Sequence, residues 1–205
     1  GGRSDARPDD LLHLLDQPPL RDPQQIDILR MLSDATASAY FVSPNLLAVL
    51  LCRMIQRSLT HGHHALSAVA YVFLAAIIGS GLGNFAEGET LGQLALGLVE
   101  RYPDAFTESQ VKCVYVAIAN HFAHPLRSGE RLLHEAWRRG EESGNLTYAV
   151  YAVNTLARWS LLGGCPLGEL IADCERYLSA VAVMNHAAGH EALRLIRQVA
   201  RALRG

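Results

Sequence analysis

The sequence predicts an all-α protein, a TPR-like α-solenoid of helix–turn–helix repeats with a period of about 41 residues, on three observations. Helix-opening signals recur at that interval, at Ser43-Pro44-Asn45, Asn84-Phe85, Pro125-Leu126 and Pro166-Leu167. Each interval holds two helical patterns parted by a breaker: His61-Gly62, Tyr102-Pro103-Asp104, Ser143-Gly144-Asn145 and Met184-Asn185. One segment, Ala65 to Gly83 (ALSAVAYVFLAAIIGSGLG), is uncharged and apolar on every side. A helix of that kind must be covered all round. A two-helix unit that cannot bury its own apolar face stacks on a neighbour, and repetition at 20–50 residues is the mark of such stacking.

Taken in order, residues 1–23 hold four prolines (Pro8, Pro18, Pro19, Pro23) around the apolar piece Leu11–Leu15. They predict a loose arm with one or two helical turns. Asp22-Pro23 reads as an N-cap followed by Pro at the first helical position. The leading helix it opens covers 24–40, with Ile26, Leu29 and Leu32 on one face. Four units follow, 43–83, 84–124, 125–165 and 166–205. Superposed at the period, Met54, Ala95, Ala136 and Tyr177 form one column, and Ile55, Leu96, Trp137 and Leu178 the next. Leu50, Leu91 and Leu132 form a third, which Asp173 breaks. In the last helix Arg194, Arg197, Arg201 and Arg204 share a face, opposite Leu193, Ile196, Val199, Ala200 and Leu203. That pattern reads as a polar cap, or as a docking face for an acidic partner or a following domain. Helical sequence running up to Gly205 reads as a piece of something longer.

Composition narrows the function. Half of the 205 residues are hydrophobic and the net charge is −2, which gives no electrostatic basis for binding nucleic acid or a membrane surface. The N-terminus lacks the apolar run of a signal peptide. Ala65–Gly83 barely reaches spanning length, holds three glycines and two serines, and has no flanking Lys/Arg cluster, so it reads as core. Cys52, Cys113, Cys165 and Cys174 form no C-x-x-C and read as small buried hydrophobes of a cytoplasmic protein.

No nucleophile or phosphate motif stands out. Gly79-Ser80-Gly81-Leu82-Gly83 has neither a preceding strand nor a following lysine and reads as a helix end. His61, His63 and His64, His121 and His124, and His186 and His190 lack further ligands at metal spacing and read as surface or capping residues, with a metal-dependent helical enzyme as an alternative. Polar residues inside apolar helices stand out more: Tyr115, Asn120 and His121 in one unit, Asn154 and Arg158 in the next. They are the candidate ligand or partner contacts, either helix-bonded or lining a small-molecule pocket between stacked helices. No catalytic residue, cofactor or metal ligand is assigned.

With the units laid out, the chain resembles the helical-repeat region of large bacterial signalling proteins. These join a serine/threonine-kinase-like domain, an AAA/STAND-type ATPase module and a GAF/histidine-kinase part. The resembling stretches are Leu11–Pro23, Ser43–Gly62, Ser67–Gly79, Gly92–Tyr102, Ala119–Arg127, Asn145–Leu156 and Pro166–Leu178. Two places depart from that pattern: Asn154-Thr155 stands where a paired asparagine is usual, and Asn120-His121-Phe122 where the third residue is tryptophan. The resemblance implies a regulatory scaffold between an ATPase and a sensor kinase, in contact with protein partners or flanking domains of the same chain. It carries no catalytic residue into these 205 positions.

Overall fold

The structure, a computed structural model, describes residues 11–205. Residues 1–10, the start of the expected arm, lie outside the described residues. The described chain is all-α. Nine helices of ten residues or more follow in order: α1 (Pro23–Val42), α2 (Pro44–His61), α3 (Ser67–Ala76), α4 (Phe85–Arg101), α5 (Ala105–Tyr115), α6 (Glu130–Ser143), α7 (Leu146–Leu162), α8 (Leu167–Val183) and α9 (Ala187–Arg204). Side chains close an orphan N–H group at the starts of five of them, α1, α2, α4, α5 and α9. Asp22 accepts from Gln24 N at 2.9 Å with Pro23 at the first position, and Ser43 and Asn84 accept from Leu46 N and Glu87 N at 3.3 Å. Asp104 does the same for Thr107 N at 3.1 Å.

First helices of the units open at the expected interval, α2 at Pro44, α4 at Phe85, the 3₁₀ turn before α6 at Leu126, and α8 at Leu167. Burial recurs with them. On α2 the positions Leu47, Leu51, Met54 and Ser58 are spaced i, i+4, i+7, i+11, one stripe of a helix, and all are buried. Their counterparts Gly88, Gly92, Ala95 and Val99 on α4 are buried too, as are Leu170, Cys174, Tyr177 and Val181 on α8. In the third unit the stripe reads Gly129, Leu133, Ala136 and Gly140. In the second helices Ala70, Val111, Ala152 and Leu193 are each 0 % exposed. Helices α3, α5, α7 and α9 touch one another in series, and α3 and α5 also pack against the first helix that follows, α4 and α6.

Helix α3 behaves as its composition requires, with every residue except Leu74 buried. It runs on through a π-turn, Ile77–Gly81, and α5 does likewise through Val116–Asn120 to a last turn at His121–Ala123. Gly83, at φ +74°, follows the π-turn, so the glycine run is a helix end as expected.

Two buried positions escaped the sequence reading. Lys112 on α5 is 7 % exposed, its Nζ 2.6 Å from Glu108 and 2.5 Å from Glu135 on α6. Burial pushes the Glu135 carboxyl up, but Lys112 and Arg131 together outweigh it and hold the group below its usual range. The second is His63. Histidines were expected at the surface or as caps, yet His63 is 0 % exposed, with Nε2 2.9 Å from the Tyr71 hydroxyl. The arm, expected to be loose, pairs with its backbone. Leu20 N donates to His63 O at 2.8 Å, and His63 N donates to Pro18 O at 3.0 Å. Gly62 permits this approach, because at φ +102° a Cβ would stand 2.4 Å from Pro18 O.

Burial, with help from the Arg101 charge, lowers the His63 pKa from 6.5 to about 4. The folded state therefore disfavours the imidazolium. The associated stability is complete above pH 6.5 and is lost as pH falls through 4. A loss on the order of 3 kcal/mol by pH 4 is expected. Urea unfolding at pH 7 and pH 4 measures it, and His63→Gln should flatten that dependence.

Cysteine burial divides two and two. Cys113 and Cys174 are buried, but Cys52 is exposed and Cys165 half-buried. Cys52 follows Leu51 in the buried stripe of α2 and so points away from it.

Candidate functional site

The five candidate polar residues fall into two places. Tyr115, Asn120 and His121 belong to the junction of α4, α5 and α6. Tyr115 is 1 % exposed and its ring lies over Gly92, where a Cβ would be 2.5 Å from the ring edge. Its hydroxyl donates to Glu89 at 2.8 Å and accepts from Gln93 Nε2 at 3.0 Å. Asn120 Nδ2 donates to Ser128 Oγ at 3.0 Å, tying the end of α5 to the turn before α6. His121 lies against Phe122 and Trp159, with ring centroids 4.1 and 5.3 Å away, and burial lowers its pKa. Tyr115 thus bonds within the pair α4 and α5, Asn120 and His121 meet the turn before α6 and Trp159 of α7, and none of the three lines the apolar cavity.

Asn154 and Arg158 do line it. A cavity of about 420 Å³ lies between the end of α1 and the helices α3, α5, α7 and α9. Phe73, Tyr148 and Tyr151 form aromatic walls, Tyr40 and Phe41 of α1 flank it, and Ile118, Ala192 and Ile196 complete an apolar lining. Tyr148, Tyr151, Thr155 and Arg158 run i, i+3, i+7, i+10 along α7, a polar and aromatic stripe on an otherwise apolar helix. That stripe was the available signal for the cavity, and the reading stopped at Asn154 and Arg158. Contributions from α1 and α3 had no local signal, since only packing brings Tyr40 and Phe73 within 5.9 Å of each other.

Polar chemistry at the site is sparse and placed. Tyr148 accepts from Gln110 Nε2 at 3.0 Å, and Thr155 Oγ1 donates to Tyr151 O at 2.8 Å. Asn154 Nδ2 donates to Val150 O at 2.9 Å and to Gly189 O at 3.2 Å. This holds α9 against α7 at a glycine whose Cβ would stand 2.1 Å from Val150 Cγ1. Asn154 Oδ1 is buried and receives no hydrogen bond among the described residues. Burial pushes the thiol of Cys113, at the wall, up to about 12, which disfavours its thiolate. A second, polar hollow of about 450 Å³ lies between α1 and the start of α5, lined by Arg30, Asp34, His64 and Asp104 among others.

The arginine face of α9 is partly spent within the fold. Arg194 pairs with Glu191 at 2.9 Å and Arg201 with Glu175 of α8 at 2.6 Å, while Arg204 is exposed. Arg197, expected outside, is half-buried with an enclosed Nε. The polar cap is also interrupted: Leu195, Val199 and Leu203 are 66, 39 and 65 % exposed at i, i+4, i+8, although Val199 and Leu203 were assigned to the apolar face. Histidine nitrogens serve locally, His64 Nδ1 accepting from Leu66 N at 3.2 Å and His186 Nδ1 from Gly189 N at 3.0 Å. Among the described residues no three His, Cys, Asp or Glu side chains gather to hold a metal ion, and no helix is long and apolar enough to cross a membrane.

Comparison with known proteins finds a likeness to a signalling protein. Over 151 residues, 73 % of the chain, it is 25 % identical to hybrid signal transduction histidine kinase G of Dictyostelium discoideum. The chain spans 4 % of that protein's length. No protein family and no solved structure matches it.

Proposed function

We propose that the chain is a non-catalytic, TPR-like α-solenoid module that relays signals within a multidomain protein of the ATPase and histidine-kinase kind. The observation that carries this reading is the return of the same buried stripe at the same interval in four consecutive first helices. Likeness to a signalling histidine kinase supports the setting. A scaffold of stacked pairs offers a continuous inner row of helices, here α3, α5, α7 and α9, on which a flanking domain or partner can rest. Binding that favours one arrangement of the neighbouring domains shifts their populations by the difference in affinity between the two.

A photo-crosslinking amino acid at position 151, on the inner row, and another at position 195, on the last helix, test this in the longer protein. The expected result is a crosslink to a defined segment of the same polypeptide or to one partner protein. Absence of crosslinks from both positions counts against the reading. A second reading, a small-molecule sensor, is favoured by the aromatic cavity with Asn154 and Arg158 at its wall.

A further inference from the structure

We infer that the cavity between α1 and the row α3, α5, α7, α9 takes a small aryl carboxylate. This rests on the relay reading and names the signal that the module would receive. The space, about 420 Å³, is of the size that holds small ligands. Its walls are aromatic on three helices, Phe73 on α3 and Tyr148 and Tyr151 on α7, with Tyr40 on α1. Edge and face contacts from such walls suit a flat ring.

One group, Arg158, sets the polar end of the ligand. Asn154, on the same helix, is 7 % exposed, gives both of its outgoing hydrogen bonds to backbone carbonyls, and keeps its Oδ1 enclosed. One helical turn further, Arg158 is exposed and has no carboxylate within ion-pair reach among the described residues. Its Nη2 donates to Thr155 Oγ1 at 3.2 Å. An arginine fork at the mouth of an apolar space suits a carboxylate. Ring and carboxylate therefore fit in that order from the aromatic walls to Arg158.

Isothermal titration with indole-3-propionate and with its neutral amide tests the assignment. The acid is expected to bind saturably with Kd below about 1 mM, and the amide roughly tenfold more weakly. Arg158→Gln, at an exposed position, should leave folding intact and erase the difference between acid and amide. The Arg158 variant decides. No saturable binding of the acid up to about 5 mM overturns the proposal, as does an undiminished acid preference in Arg158→Gln. Neither outcome alters the crosslinking result on which the relay reading stands.

Discussion

Replacing Ala136 with arginine should abolish the folded state. Ala136 is 0 % exposed on α6, and its carbonyl accepts a hydrogen bond from Ser109 Oγ of α5 at 2.8 Å, so the two helices touch there. An arginine has no volume to occupy between them. Its charge would also leave water without a partner, which in practice costs several kcal/mol. Together these exceed about 4 kcal/mol, a large part of the 5–15 kcal/mol that holds an ordinary domain together. Ala95→Arg on α4, likewise 0 % exposed, should behave the same way. Thermal melting by circular dichroism reads both, with Arg194→Ala as the benign comparison because Arg194 is exposed and pairs only within its own helix. Arg197→Ala is not a benign comparison. The half-buried stem of Arg197 contributes packing that the truncation would remove. A cooperative transition for Ala136→Arg within a few degrees of wild type would mean that α5 and α6 do not meet at this residue.

Gly88→Ala is the second large effect, and its sign is the informative part. Gly88 lies inside α4, where helix propensity alone makes alanine better by about 1 kcal/mol. In the fold, a Cβ at Gly88 would stand 2.8 Å from Gly79 Cα, 2.9 Å from Ala75 O and 3.0 Å from Gly79 N. All three are backbone atoms of α3 and its π-turn, so no side chain can swing aside. Helix α4 would have to move off the central helix. Overpacking of this kind costs about 1–3 kcal/mol or more even where side chains can adjust. A net loss of about 2 kcal/mol is expected, a fall in Tm of roughly 4–8 °C for a chain of this size. Gly168 near the start of α8 supplies the contrast. Its added Cβ would meet only Arg204 Nη1, at 3.9 Å, so Gly168→Ala should be neutral or slightly stabilising. If Gly88→Ala raised Tm as Gly168→Ala does, the close approach of α3 and α4 would be wrong.

The same contrast separates what was legible in the sequence from what was not. Helix boundaries were legible because their signals are local. Asp22-Pro23 and Ser43-Pro44 carry their caps within a few residues, and Gly62, Gly144 and Asn185 mark breaks with positive φ. Half of the cavity's polar equipment was legible too, since Asn154 and Arg158 are conspicuous on an apolar helix. Tyr115, Asn120 and His121 looked equally conspicuous, yet they are spent on contacts with α4, the turn before α6 and α7. A polar residue in an apolar helix shows that something satisfies it, and not whether the partner is Glu89, Ser128 or a ligand.

By itself, then, the chain determined its all-helical class, the places where helices begin and end, and the interval at which apolar stripes return. All of these depend on residues a few positions apart, whose geometry the backbone dictates. Tertiary structure alone decided which stripe met which. It paired the arm with the His63 backbone, buried Lys112 between two carboxylates, brought Tyr40 beside Phe73, and turned Gly88 from a weak helix residue into a required contact. Such contacts join residues tens of positions apart. Their energies depend on the distance between two surfaces, and that distance exists only once the helices have packed.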